Sequence, residues 1–418
     1  VSDLGIINVL SKFSKSVKNL YYAKVLNGSV PVFTQFGEDI YASDIVQNCI
    51  RCIATEMSKL QPKHIRTDNA TGIQSVVSSS INRLLKFGPN EWMTTTDFLE
   101  NITYLREINK NAFIYPAYRE VPLSDGLVRR EYTGFYPLNP REVEFLQDAS
   151  GTIYIRMHFA NFYEYTMPYA DIIHWRKDFG ANEFMGGDAN GRANNDAILK
   201  QLKINDIVYQ GLEKGIKAGL TIRGLLKINT MLADEKQEQD RIAFEQKMAN
   251  SESGILAIDL KSDYQPLTLD PKIIDKETME FLDKRIINNF DVSLPILNGT
   301  FTEEEYQAFY EKKLEPMVIS LGRAFSKTLF TARELDVGNE VIFYSQGLLF
   351  TNMANKISAV DVLSSRGTLT DNQILAIFGY PPFEGGDIRH MSLNYINREI
   401  ADSYQMGKLA KEKEVKYG

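Results

Sequence analysis

Two cysteines, four histidines and a few loosely grouped carboxylates are the residues of this 418-residue chain whose types could do chemistry. Cys49-Ile50-Arg51-Cys52 is a C-x-x-C. Such a pair can hold zinc together with further ligands, or exchange disulfides when it opens a helix beside a βαβ unit. The sequence has no other cysteine, and the surrounding apolar periodicity puts both thiols inside a helix, so structural cysteines are the favoured reading. His64, His158, His174 and His390 lie far apart, none in H-E-x-x-H spacing. His174, beside Trp175 at the end of a β-rich segment, reads as a packed residue and not a ligand. Asp188, Asn190, Asn194 and Asp196 loosely follow a calcium loop, but the closing glutamate of an EF-hand is missing, which favours a flexible loop. There is no Walker loop, no G-x-G-x-x-G and no G-x-S-x-G. These residues point to no catalytic constellation, no metal and no cofactor, and the expectation is a protein that is not an enzyme.

Composition narrows the class. The chain is 44% hydrophobic and 24% charged, ordinary for a globular protein, and long enough for two or three compact units. Two cysteines cannot make a disulfide framework, which suits a reducing compartment. The first residues, LGIINVLSKFSKSVKNLYYAKVL, are broken by Lys12, Lys15, Lys18 and Lys24, so a signal peptide is not expected. No stretch approaches the roughly 18 consecutive apolar residues of a membrane span. Synthesis in the cytoplasm and no membrane partner are therefore expected. A net charge of −7 argues against tight, static binding of nucleic acid, though not against a passage through which DNA slides.

The elements that must carry any function follow from periodicity. Residues 1–40 resemble an arm. Val46, Ile50, Ile53, Met57 and Leu60 make one apolar stripe, predicting a helix over 43–60 capped by Ser43 or Asp44. Phe98, Ile102, Leu105 and Ile108 predict a second over 96–112 after a Thr96 cap. Six short aromatic and β-branched segments between 113 and 175 predict strands, which makes the class α+β. A polar Gly/Asn loop at 179–196 precedes a long helix over 196–218, with Ile198, Leu202, Ile207, Leu212 and Ile216 as its apolar positions. Residues 220–260 read as strand, acidic helix and strand. A helix capped by Asp270, with Pro271 in its first turn, should run to about Phe290. Pro295 and Asn298-Gly299 interrupt the helical pattern at 291–300, where Leu294, Ile296 and Leu297 are apolar in a predicted loop. Thr302 and Glu305 form a capping box for the next helix, which Pro316 should kink. A strand pair near 340–350 and a helical region starting at a Thr370 or Asp371 cap complete the chain.

Four stretches carry a resemblance. SDIVQNCIRCIATEMSKLQPKHI at 43–65, NRLLKFGPNEWMTTTDFLENITYLREINKNAFIYPAYRE at 82–120, the run from YPLNPREVEFLQ to ADIIHWRKDFGANEFMG at 136–186, and TLTDNQILAIFGYPPFEGGD at 368–387 are similar, in order and spacing, to the portal proteins of long-tailed bacteriophages. The chain departs from that pattern at Lys110, where the family has glycine, and at Gln373, where an acidic residue is common. The resemblance implies a portal fold with an α/β wing, a two-helix stem, a small α/β clip, a kinked long helix and a helical crown. Its parts would be an N-terminal arm (1–40), wing (41–195), first stem helix (196–219), clip (220–268), second stem helix (269–290), tunnel loop (291–301), kinked helix and wing return (302–350) and crown (351–418).

The same resemblance implies a subunit of a ring, dodecameric in the virion, through which double-stranded DNA is packaged and ejected at a capsid vertex. Terminase, major capsid or scaffold protein and a head–tail adaptor are the implied partners; virion and, during assembly, host cytoplasm are the implied locations. The implied DNA-facing residues are Ser293, Leu294, Pro295, Ile296, Leu297, Asn298, Gly299 and Thr300. No Lys or Arg occurs between Asp291 and Thr302, so contact there would be steric and polar. From 234 to 315, nineteen acidic residues face ten basic ones, a net −9 that exceeds the excess of the whole chain. An acidic lining repels phosphates, as a sliding passage should. The rival readings are another virion protein, such as a head–tail adaptor or minor capsid protein, and a phage hydrolase. The first is usually much shorter; the second would need a nucleophile–base pair that the sequence lacks.

Overall fold

The computed structural model describes residues 24–31, 43–69, 72, 74–122, 128–160, 162–180, 182–191, 196–221, 225–228, 238–239, 242–243, 246, 262–265, 276–344, 353–378, 381 and 383–391. The expected cap at Asp270, the strand GILAIDL at 254–260 and the second strand of the pair near 350 lie outside them.

The first described element, within the expected arm, is strand β1 (Lys24–Pro31), which pairs antiparallel with a strand near residue 145. Helix α1 (Asp44–Ser58) buries Val46, Cys49, Ile50, Ile53, Ala54 and Met57, the predicted stripe. Ser43 starts it without a side-chain cap bond; Asp44 accepts from Ile45 N instead (2.8 Å). Strands β2 (Gln61–Thr67) and β3 (Gln74–Val76) and helix α2 (Ser80–Phe87) follow. Helix α3 (Thr95–Asn109) is capped by Thr94, two residues before the expected Thr96. The reason is spacing: only Thr94 has an acid three residues on, so Thr94 and Asp97 cap each other's backbone.

All six predicted strands form: β4 (Asn111–Pro122), β5 (Val128–Leu138), β6 (Glu142–Gln147), β7 (Ile153–His158), β8 (Glu164–Pro168) and β9 (Ile173–Arg176). They make two antiparallel sheets, β5-β4-β9 and β1-β6-β7-β8. The first seven residues of β4 are all buried, and alternation explains why. Ala112 and Ile114 face a helical core with Ile50, Phe98 and Phe325, whereas Phe113, Tyr115 and Ala117 face a second core with Phe145, Ile155 and Met157 of the other sheet. The layers are therefore helices, three-stranded sheet and four-stranded sheet.

Helix α4 (Asp196–Thr221) is the long one expected. Ile198 is buried and Leu202 packs on the core, but Ile207 is 66% exposed, against expectation. Strands β10 (Leu225–Ile228) and β11 (Ser262–Gln265) pair antiparallel, the second of them just past the expected GILAIDL segment. Helix α5 (Lys276–Asn288) packs on α4, and α6 (Leu294–Asn298) is a short helix. One long helical path then comprises α7 (Glu303–Phe309), a π-helical turn at Tyr310–Leu314, and α8 (Glu315–Leu329). Pro316 explains the π turn: proline lacks an N–H and crowds the carbonyl four residues back, and a widened turn relieves both. Helix α9 (Ala332–Asp336) leads to β12 (Asn339–Tyr344), whose partner is β2, more than 270 residues earlier. Helix α10 (Met353–Ser365), β13 (Arg366–Thr370), α11 (Asp371–Ile377) and β14 (Arg389–Met391) form the last described part. Thr370 caps α11 through a box with Gln373, so the amide does there what a carboxylate would.

Candidate functional site at the head of the long helix

The eight residues singled out in the sequence lie between α5 and α7. After α5, Asn289, Phe290 and Asp291 each donate a backbone N–H to the carbonyl three residues back. Asp291 is left-handed (φ 56°), costly for a residue with a Cβ. Its carboxylate is held by Lys312 (3.0 Å) and Lys313 (3.8 Å). Ser293 then begins α6, with Pro295 in the first turn, where a missing N–H is harmless. Gly299 (φ 71°) ends it. Its N–H reaches Ile296 O (3.4 Å) and Thr300 N reaches Pro295 O (3.0 Å), the paired closure of a Schellman motif. Nothing lies within 4 Å of where a Cβ on Gly299 would be, so glycine is required there by the backbone alone.

The segment is thus a helical turn and not the expected loop. Leu297 N donates to Ser293 O, which closes that turn. Ile296 is 7% exposed and belongs to the helical core, and Leu297 packs against it. Ile296 is thus buried and Leu297 half-buried within their own subunit, where the sequence had only placed two apolar residues in a loop. The outward face is Leu294 (51% exposed), Asn298, Gly299 and Thr300, with Phe301 beside it. That face carries no charge.

Beneath it lies an ionic cluster. Glu107 of α3 is fully buried; it accepts from Arg106 Nη1 (2.8 Å), from Lys177 and from Lys313 Nζ (3.4 Å). Burial works against its ionisation, but Lys177, Lys313 and Arg106 together outweigh it and hold the carboxyl well below its usual range. Burial pulls Lys313 down to about 8. Because Lys313 reaches both Glu107 and Asp291, the π turn ties the head of the long helix to α3 and to the turn after α5. Lys110, left-handed at φ 59°, pairs with Asp178 (3.0 Å) at the rim. The sequence reading missed this cluster, since its partners are 70 and 206 residues apart. The available signal was the α3 stripe, which continues through Thr103 onto Arg106 and Glu107.

The other chemical candidates resolve as structure. Burial raises the thiols of Cys49 and Cys52 to about 12 and about 11, far from thiolate character at neutral pH. His174 stacks on Phe113 at 4.3 Å, and burial holds its pKa well below the ordinary value. Asn111 Oδ1 already accepts from Gly186 N (2.8 Å), so His174 donates Nε2–H to that oxygen and its Nδ1 accepts from Tyr169 OH, both at 2.9 Å. The Gly/Asn loop, expected to be flexible, is pinned: Asn111 brackets Gly186, and a Cβ on Gly186 would meet Lys177 O at 2.2 Å. Asp188 turns back on Asn190 N (2.9 Å). Among the described residues no group of three His, Cys, Asp or Glu side chains could hold a metal.

The family model described as phage portal protein matches residues 44–379. Probable portal proteins of Lactococcus phages p2 and SK1 are each 23% identical over 371 residues, covering 85% of this chain and 85% of the relative. Among solved structures, the neck of an empty gene transfer agent particle with C6 symmetry aligns at a TM-score of 0.58 and 14% identity, over 86% of this chain and 96% of its own. The neck of a native particle with C12 symmetry aligns at 0.55 and 14%, over 82% and 92%. These structural likenesses show a shared fold.

Proposed function

The chain belongs to the phage portal protein family, and from that premise we propose that copies of it close into a twelvefold ring whose bore passes double-stranded DNA, with the outward face of α6 turned to that DNA. A portal protein is a structural part of the virion and not an enzyme. The observation that carries the ring is the C12 symmetry of a neck whose chain shares this fold along nearly its whole length. A head-to-tail contact between unlike faces closes into such a ring when its rotation permits.

Within this reading the two sheets and their helices serve as the wing, α4 and α5 as the stem, the β10–β11 unit as the clip, and residues 351–418 as the crown. The clip would meet terminase and later a head–tail adaptor, and the wing would meet capsid or scaffold protein. Among the described residues no helix is long and apolar enough to cross a membrane. The tunnel role of α6 draws support from its chemistry. Leu294, Asn298, Gly299 and Thr300 offer no cation to a phosphate, and the nearby lysines, Lys312 and Lys313, are engaged by Asp291. A neutral face lets a polyanion slide. The burial of Ile296, with Leu297 half-buried beside it, favours a second reading, in which α6 is only a connection.

One experiment separates the two. Asn298→Lys places a cation on the exposed face without touching Ile296. If α6 faces DNA, isolated rings of this variant bind duplex more tightly and with a steeper salt dependence, each phosphate engaged adding about −0.9 to the slope of log K against log salt. In a packaging assay the same rings should stall or retain DNA abnormally. An unchanged slope and normal packaging would leave α6 as a connection.

A further inference from the structure

The turn between β7 and β8 holds a residue that the single subunit does not explain. Phe159 and Tyr163 close the turn (Phe159 N to Tyr163 O, 2.9 Å), and Phe162 N donates to Phe159 O (3.1 Å). Phe162 is left-handed, φ 61°, in a slot that hairpins normally fill with glycine or asparagine. Its side chain is 98% exposed. A bulky residue in this conformation costs stability, and here it buries nothing in return. An outlier of this kind points to a role outside the fold of the monomer.

At the other end of the same hairpin the subunit has a groove of about 940 Å³ between α8 and the chain flanking β9. Ile319 of α8 and Phe179 opposite it are 44% and 49% exposed, an apolar floor left open among the described residues apart from the Arg176 guanidinium stacked on the Phe179 ring. Arg176, Arg323 and Lys327 rim it against the single acid Glu315. The hairpin tip is the more acidic partner: Glu142, His158 and Glu164 are cross-strand neighbours there, with Arg141 beside them and Glu144 and Arg156 in the next row, three acids against two arginines. β7 starts at Ile153 on the groove wall and runs six residues, about 20 Å, to the tip, so Phe162 cannot fill its own groove.

We propose that Phe162 of one copy seats in the α8–β9 groove of the next, as an aromatic anchor of the head-to-tail contact. Knob and groove are unlike surfaces at separate ends of one hairpin, as a heterologous contact requires. Buried aromatic residues in pockets are also what typically dominate such interfaces. The proposal rests on the ring reading for its occupant, a second copy of this chain.

The test pairs a cross-link with a charge. In Phe162→Cys/Ile319→Cys, oxidation of assembled rings should give a ladder of covalent multimers that neither single variant gives. Phe162→Asp should leave the far-UV spectrum of the subunit unchanged, because the side chain touches nothing within it, and should raise the concentration needed for assembly at least tenfold. Closed rings of Phe162→Asp with undiminished stability and no ladder overturn this contact alone. Loss of assembly in Phe162→Asp without a ladder overturns the groove as its seat. A parent chain that stays monomeric with scaffold present, and gives no ladder, overturns the ring reading and this contact together.

Discussion

Glu107 holds three cations in a place where none of the four could be left alone. Removing its charge takes the close carboxylate from buried Arg106, Lys177 and Lys313 and leaves only the more distant Asp291 to Lys313, so Glu107→Gln is expected to cost about 3–5 kcal/mol in urea unfolding. The sign of the pH effect follows. The folded carboxyl titrates well below its ordinary value of 4.5, so between those two values the unfolded chain binds the extra proton. The stabilisation is full above about pH 4.5 and is lost as pH falls through that window. Glu107→Gln should therefore flatten the acid limb of stability against pH; an unchanged limb would show that other carboxylates set it. Lys110 makes a smaller case. The sequence marked it as standing in place of a glycine, and its left-handed backbone is the reason a glycine suits that position. Lys110→Gly removes about 1–2 kcal/mol of strain and loses an ion pair to the mostly exposed Asp178, worth about 0–1 kcal/mol, so stability should stay within about 1 kcal/mol. Lys110→Val keeps the strain, adds a branched Cβ and should be clearly destabilised by the same measurement. A glycine variant worse than the valine variant would contradict this account.

Elements were legible where periodicity was local. The α1 stripe, the six strands from β4 to β9, the capping box at Thr302 and a cap at Thr370 or Asp371 could be read because each signal sits within a few residues. Pairing was not legible. Nothing near β12 announces that its partner is β2, and nothing in the N-terminal segment announces that β1 borders β6, because register is fixed by faces that meet only in the folded chain. α6 was misread for a related reason. Pro295 and Gly299 are breakers when counted alone, but at the first turn and just past the last they bound a helix of five residues. Gly322 shows the same dependence on tertiary context. In an exposed helix, Gly→Ala gains about 1 kcal/mol. Here a Cβ would come within 2.8 Å of Val341 O, where α8 crosses β12, so Gly322→Ala should instead lose about 1–3 kcal/mol. A rise in thermal midpoint for this variant would mean that the two elements can part without penalty.

At the scale of the whole molecule, the ionic cluster, the π turn and α6 form one mechanical path. The turn after α5 is held by Lys312 and Lys313, Lys313 is anchored on Glu107, and Glu107 sits against the sheet that carries β9. In a ring, that path would fix each copy of α6 relative to the wing while its neutral face stays free for DNA. Along the sequence, the stretch from 234 to 315 carries an acidic excess, and a passage lined with that sign would discourage phosphates from sticking. No single residue in the sequence announced this arrangement; family membership motivates the proposed ring, and the folded chain shows what braces its candidate inner surface. The most direct test is a cryo-electron-microscopy reconstruction of the purified chain at a concentration that drives assembly. The account predicts a closed ring with a central bore and with Leu294, Asn298 and Thr300 nearest the axis. A chain that stays monomeric, or a ring in which these residues lie away from the bore, would contradict it.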